Sequence, residues 1–117
     1  MSPKRGERAA PPPSGAEYDI RFASNNAAEG WEQLAGQAPN NLRRAFDAIR
    51  SRPRSRDAPD RQHRLKGSLG TAVFKGQPLE RWQYEVTTGG RIWYLVDDAS
   101  RTVWVIHAGT GHPKATD

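Results

Sequence analysis

The stretch Arg81-Trp82-Gln83-Tyr84-Glu85-Val86-Thr87-Thr88-Gly89-Gly90-Arg91-Ile92-Trp93-Tyr94-Leu95-Val96 decides the fold. Large apolar side chains alternate with polar ones up to Val86, and apolar residues recur at every second position from Ile92. That is the period-two signature of strands with one face in a core. Trp82, Tyr84 and Val86 share one face of the first strand, and Ile92, Tyr94 and Val96 share one face of the second. A three-residue turn, Thr88-Gly89-Gly90, pairs Thr87 with Arg91 and brings both apolar sets to the same side. A slip of one residue would turn one set to the opposite face. Glycine is expected to supply a left-handed turn residue. A second turn, Asp98-Ala99-Ser100, pairs Tyr94 with Trp104 and Ile92 with Ile106 and completes a meander. The expected core face is Trp82, Tyr84, Val86, Ile92, Tyr94, Val96, Trp104 and Ile106.

The same register fills the opposite face with Arg81, Gln83, Glu85, Arg91, Trp93, Leu95, Val103, Val105 and His107. Arg91 is expected opposite His107, and Trp93 opposite Glu85. Arg64 and Lys66 arrive from the preceding loop. Cleavage of RNA through its 2′-hydroxyl needs a base, a cation to stabilise the phosphorane and an acid for the leaving oxygen. Glu85 or His107 fits the base, Arg91 and Arg81 the phosphate clamp, and His107 or His112 the acid. Trp93 offers an indole on which a splayed base can stack. Arg64, Lys66, His112 and Lys114 are further RNA-binding candidates. An ordinary cross-strand ion pair between Arg91 and Glu85 is the plainer reading of those two residues. His107 and His112 lack a third ligand, so no metal and no cofactor is expected.

Working outward, Tyr18, Ile20 and Phe22 alternate with Glu17, Asp19 and Arg21 and predict a first strand. Asn26 and Glu29 have capping-box spacing, and Ala27, Trp31, Leu34 and Ala35 predict a helix over residues 26–35, closed by Gly36. Pro39 opens a second helix, whose stripe is Leu42, Ala45, Phe46 and Ile49, and Pro53 ends it. Residues 51–64 form a loop or a third helical turn, which the pattern leaves open. Residues 67–78, punctuated by Gly67, Gly70, Gly76 and Pro78, read as a loop with one short strand. Residues 1–16, with Pro11-Pro12-Pro13, read as a disordered tail, and residues 17–114 as the folded domain.

A chain of 117 residues suits one domain. The absence of cysteine excludes disulfides and thiolate metal sites. No apolar run is long enough for a membrane span, and a cytoplasmic location without membrane partners is expected. The net charge is +5, and residues 43–66 hold nine Lys/Arg against three acids. So focused a patch suits a polyanion or an acidic protein.

The order of strand, two helices, Leu65-Lys66-Gly67, then a hairpin whose second strand is Arg91-Ile92-Trp93-Tyr94, resembles the RelE/ParE toxin superfamily. Asp97-Asp98 follow in the next turn, and Val105-Ile106-His107-Ala108-Gly109 followed by His112-Pro113-Lys114 is similar to that family's last strand and basic C-terminus. The resemblance implies an α+β fold: a small antiparallel sheet, made of the N-terminal strand and the C-terminal meander, with a two-helix hairpin on one face. It implies a toxin of a type II toxin–antitoxin pair, whose partners are a cognate antitoxin protein, the ribosome and mRNA. The RelE-like branch implies a ribosome-dependent, metal-independent mRNA endoribonuclease without a small-molecule cofactor. The alternatives are a non-enzymatic ParE-like inhibitor of DNA gyrase and a basic RNA- or protein-binding module. The chain departs from the ribonuclease pattern in carrying Glu85 where an Arg is common and no Tyr after Tyr94, and its stretch over residues 68–79 is longer than many members have.

Overall fold

The computed structural model describes residues 3–110. The elements are β1 (Asp19–Phe22), α1 (Asn25–Gln37), α2 (Pro39–Ser51), β2 (Gln62–Arg64), a 3-10 turn (Gly67–Gly70), β3 (Thr71–Phe74), β4 (Gln77–Glu85), β5 (Gly90–Asp97) and β6 (Thr102–Thr110). The strands form one sheet in the order β1-β6-β5-β4-β2, with β3 also paired to β4. All pairings between these strands are antiparallel except β1 with β6, which is parallel. The fold is α+β, as expected, with the first strand and the meander supplemented by β2 and β3.

Both helices pack on one face of the sheet. Ser24, not Asn26, caps α1: its hydroxyl accepts from the Ala27 N–H at 3.1 Å. Pro39 sits in the first turn of α2, where its missing N–H is no loss. The stripe Leu42, Ala45, Phe46 and Ile49 is buried. Trp31 links the layers, edge-on to Phe22 at 5.7 Å and to Phe46 at 6.1 Å. Gly30 allows α1 to lie against β6, because a Cβ there would fall 1.8 Å from the Ala108 carbonyl oxygen.

The apolar faces of β4 and β5 agree with the sequence pattern, but the register is shifted by two. Glu85 pairs with Arg91 and Gln83 with Trp93. The turn is tighter than expected: Val86 and Thr87 both donate to the Gly90 carbonyl, a bulge beside a Thr88-Gly89 turn. An even shift leaves every face unchanged. Neither Gly89 nor Gly90 takes a left-handed φ. Gly90 is required by close approach instead, since a Cβ would lie 2.8 Å from Thr87 Oγ1 and 3.0 Å from Leu34 Cδ2.

The β5–β6 register corrects the sequence reading in a way that matters. Asp97 pairs with Thr102, so the turn holds the four residues 98–101, with Arg101 left-handed at φ 49°. That odd slip puts Val103 and Val105 in the core and Trp104 on the outer face, the reverse of the expectation. A bulge then follows: Tyr94 pairs with Val105 but Trp93 with His107, leaving Ile106 as the extra residue. The second irregularity restores His107 to the outer face and gives Ala108, not Ile106, to the core.

Residues 4–9, part of the segment read as a disordered tail, lie along the free edge of β1. Gly6 donates to the Phe22 carbonyl, Phe22 to Glu7 and Ala9 to Ile20, at 2.7, 3.1 and 2.7 Å. Arg8 reaches Asp19 at 2.7 Å.

Candidate functional site

The sheet face turned away from the helices carries most of the candidate residues. Three cross-strand rows follow from the register. Arg81, Leu95 and Trp104 form one, Gln83, Trp93 and His107 the next, and Glu85, Arg91 and Gly109 the third. Arg91 therefore faces Glu85 rather than His107, and His107 faces Trp93. The four candidate catalytic residues, Arg81, Glu85, Arg91 and His107, lie on three adjacent strands around Trp93 and are all half-buried.

Trp93 is only 2% exposed, and its Nε1–H donates to Gln83 Oε1 at 2.8 Å. It is a platform already in use: the Arg81 guanidinium lies 5.5 Å from its ring centroid. Such stacking holds a cation in place without neutralising it. Burial lowers the Arg81 pKa from its ordinary value, and its Nε is buried with no acceptor among the described residues. A guanidinium left under-solvated in this way gains more from an incoming phosphate than one fully hydrated.

The other candidates are placed differently. Arg64 pairs across from Trp82, a core-face position, and donates to the Gly70 carbonyl and Thr71 Oγ1, both at 2.9 Å. Its guanidinium is also 4.0 Å from Glu80. Lys66 is exposed at the start of the 3-10 turn. His112 and Lys114 lie outside the described residues.

The basic stretch over residues 43–66 is less basic in space than in sequence. Arg43 pairs with Asp47, Arg52 with Asp57, Arg50 with Glu17 at 2.6 Å, and Arg54 with both Asp98 and Glu80. Arg54 is the centre of a polar cluster in which Tyr18 donates to Asp98 at 2.7 Å and Trp82 Nε1–H to Glu80 at 3.0 Å. Beside it, Tyr94 donates to the Pro53 carbonyl and accepts from Gln62, and burial pushes its hydroxyl pKa upward. These residues join the loop after α2 to the sheet, so the cluster is architectural.

Sequence reasoning missed Phe74, Lys75 and Trp104, which meet at the Trp104 end of the first row of the outer face. Trp104 was assigned to the core because a four-residue turn without glycine left no sign of itself. Among the described residues no three His, Cys, Asp or Glu side chains gather as a metal site, and no helix is long and apolar enough to cross a membrane.

No family model matches the sequence, and no curated protein matches it. The solved structures to which the chain is similar include the following two. A metal-bound toxin from Helicobacter pylori is 15% identical with a TM-score of 0.55, covering 78% of this chain and 91% of that one. The RelBE2 toxin–antitoxin complex from Mycobacterium tuberculosis is 21% identical with a TM-score of 0.45, covering 81% and 99%. With two helices over one face of a mostly antiparallel sheet, and the meander that carries Arg91 and His107, the chain shares the fold of the Helicobacter pylori toxin.

Proposed function

We propose that this protein is the toxin of a type II toxin–antitoxin pair and acts as a ribosome-dependent, metal-independent mRNA endoribonuclease. The observation that carries the proposal is the grouping of Arg81, Glu85, Arg91 and His107 around Trp93 on β4, β5 and β6. In this reading Glu85 or His107 takes the proton from a 2′-hydroxyl. The 2′-oxygen attacks the adjacent phosphorus, Arg81 and Arg91 hold the phosphorane, and His107 or His112 protonates the departing 5′-oxygen. The base gains one proton and the acid gives up one while the 2′-oxygen–phosphorus bond forms and the phosphorus–5′-oxygen bond breaks, so the step balances without a further reagent. The charges of Lys66, Lys114 and Arg64 would attract RNA. A labile antitoxin of acidic character would cover the basic surface until degraded, and the protein would work in the cytoplasm.

The second reading, a non-enzymatic inhibitor of DNA gyrase, is favoured by one observation: Glu85 faces Arg91 directly, as an ordinary cross-strand pair would. Controlled expression of wild type, Arg91→Ala and His107→Ala, with primer extension on a translated mRNA, separates the two. Discrete cuts from wild type, reduced about 10²–10³-fold in rate by Arg91→Ala, are expected. Growth arrest without cuts would transfer the proposal to the inhibitor. No arrest from a folded protein would leave a basic binding module.

A further inference from the structure

The proposed cleavage chemistry leaves residues 68–78 unused, and these lie in the stretch, residues 68–79, that is longer than many members of the resembled family have. They fold into the 3-10 turn and β3, and β3 returns into β4 through Lys75 and Gly76. Both residues are left-handed, at φ 52° and 79°, as a two-residue hairpin turn requires. Gly76 adopts that conformation freely, whereas Lys75 does so against steric resistance that Gly or Asn would avoid. A strained residue kept in such a place points to a role for its side chain.

The Lys75 ammonium lies over the Trp104 ring, 4.4 Å from its centroid, and 5.6 Å from that of Phe74. The two rings are 5.0 Å apart and tilted by 45°. Trp104 Nε1 is buried and has no acceptor among the described residues. Phe74, Lys75 and Trp104, with Arg5 and Phe22, line a cavity of about 380 Å³. It lies on the outer face, because Trp104 pairs with Leu95, which in turn pairs with Arg81. Two strand spacings, roughly 10 Å, therefore separate it from Arg81.

Two aromatic rings and two cations match a ligand with both a flat ring and a negative charge. A bare phosphate would use the cations and waste the rings. An apolar peptide would use the rings and leave the cations without counter-charge. We infer that Phe74, Lys75 and Trp104, with Arg5 from the N-terminal segment, form a nucleotide subsite that holds one base and its phosphate of single-stranded RNA beside the cleavage position. The base stacks on the Phe74–Trp104 pair as the ammonium moves from the ring to the phosphate. This inference rests on the RNA-cleaving reading of the neighbouring residues.

The test is fluorescence anisotropy with a labelled 2′-O-methyl RNA decamer, which cannot be cleaved by 2′-hydroxyl attack. Wild type, Phe74→Ala, Lys75→Gly and Arg81→Ala are titrated at several salt concentrations. Phe74→Ala should weaken binding about tenfold. Lys75→Gly suits the left-handed turn and so keeps the fold; it should weaken binding several-fold and reduce the salt slope by about 0.7. Wild-type affinity in both variants, with a loss in Arg81→Ala, would overturn the subsite and leave the RNA reading standing. No binding by wild type would overturn the subsite, whereas the cleavage reading stands or falls separately on the primer extension with translated mRNA. If circular dichroism shows Phe74→Ala unfolded, Lys75→Gly decides alone.

Discussion

Single side chains on the outer face owe their chemistry to their neighbours. Arg81 is stacked on a closed indole and partly desolvated, so it is a fixed cation rather than a mobile surface one. Arg54 illustrates the other use of the same residue type. Its hydrogen bonds to Asp98 and Glu80 raise its pKa above the ordinary value despite burial. Replacing Arg54 by Met removes those bonds and leaves Glu80, one-third exposed, with Trp82 as a donor. The expected loss is about 1–3 kcal/mol, discounted for partial exposure. Urea unfolding of the variant measures it, and the proposed cleavage of translated mRNA should be unchanged because Arg54 lies off the outer face.

At the scale of elements, the contact of α1 with β6 has the least tolerance. Gly30→Ala would drive a methyl group into the Ala108 backbone. The helix must then lift from the sheet, with an expected loss of at least about 3 kcal/mol. Gly36 lies in the same helix with open space around it and a φ outside the left-handed region. Gly36→Ala should therefore stabilise by about 0.4–1 kcal/mol. Thermal melts of the two variants give opposite signs if α1 is seated as described, and equal signs if it is not. The β6 strand also sets the site, because its bulge at Ile106 keeps Val105 and Ala108 inward while Trp104 and His107 face outward.

Across the whole molecule, carboxylates tie distant segments together. Arg54 and Tyr18 hold Asp98 below its usual range, and Arg50 and the Ser14 N–H do the same for Glu17. Burial pushes Asp19 and Glu80 up, but Arg8 and Arg21 outweigh it for Asp19, as Trp82 and Arg54 do for Glu80. A pKa lowered in the folded state means that the unfolded chain binds the proton more readily. Stability from these groups is then complete above the unfolded values of about 4 and is lost as pH falls through the lower folded ones. Melting temperatures should be flat near neutrality and drop below about pH 4. An Asp98→Asn variant should show a shallower drop, and an equally steep one would remove Asp98 from the account.

The sequence by itself determined the fold class, the helical stripe on α2 and the faces of β4 and β5. Each rests on local periodicity, which survives an even change of register. It also marked Arg81, Glu85 and Arg91 as residues of one outer face, since strand alternation alone assigns them there, whereas His107 shares that face only because the bulge at Ile106 offsets the odd slip of β6. Only the tertiary structure decided who meets whom. A four-residue turn with left-handed Arg101, followed by a bulge at Ile106, exchanged the faces of Trp104 and Val105 and then returned His107 to its own. Neither irregularity carries a glycine or proline to announce it. Both are set by how β6 must lie between β1 and β5 while α1 presses on it at Gly30. Likewise, the basic stretch was legible as charge, but its pairing with Glu17, Glu80 and Asp98 was not, because those partners lie far away along the chain.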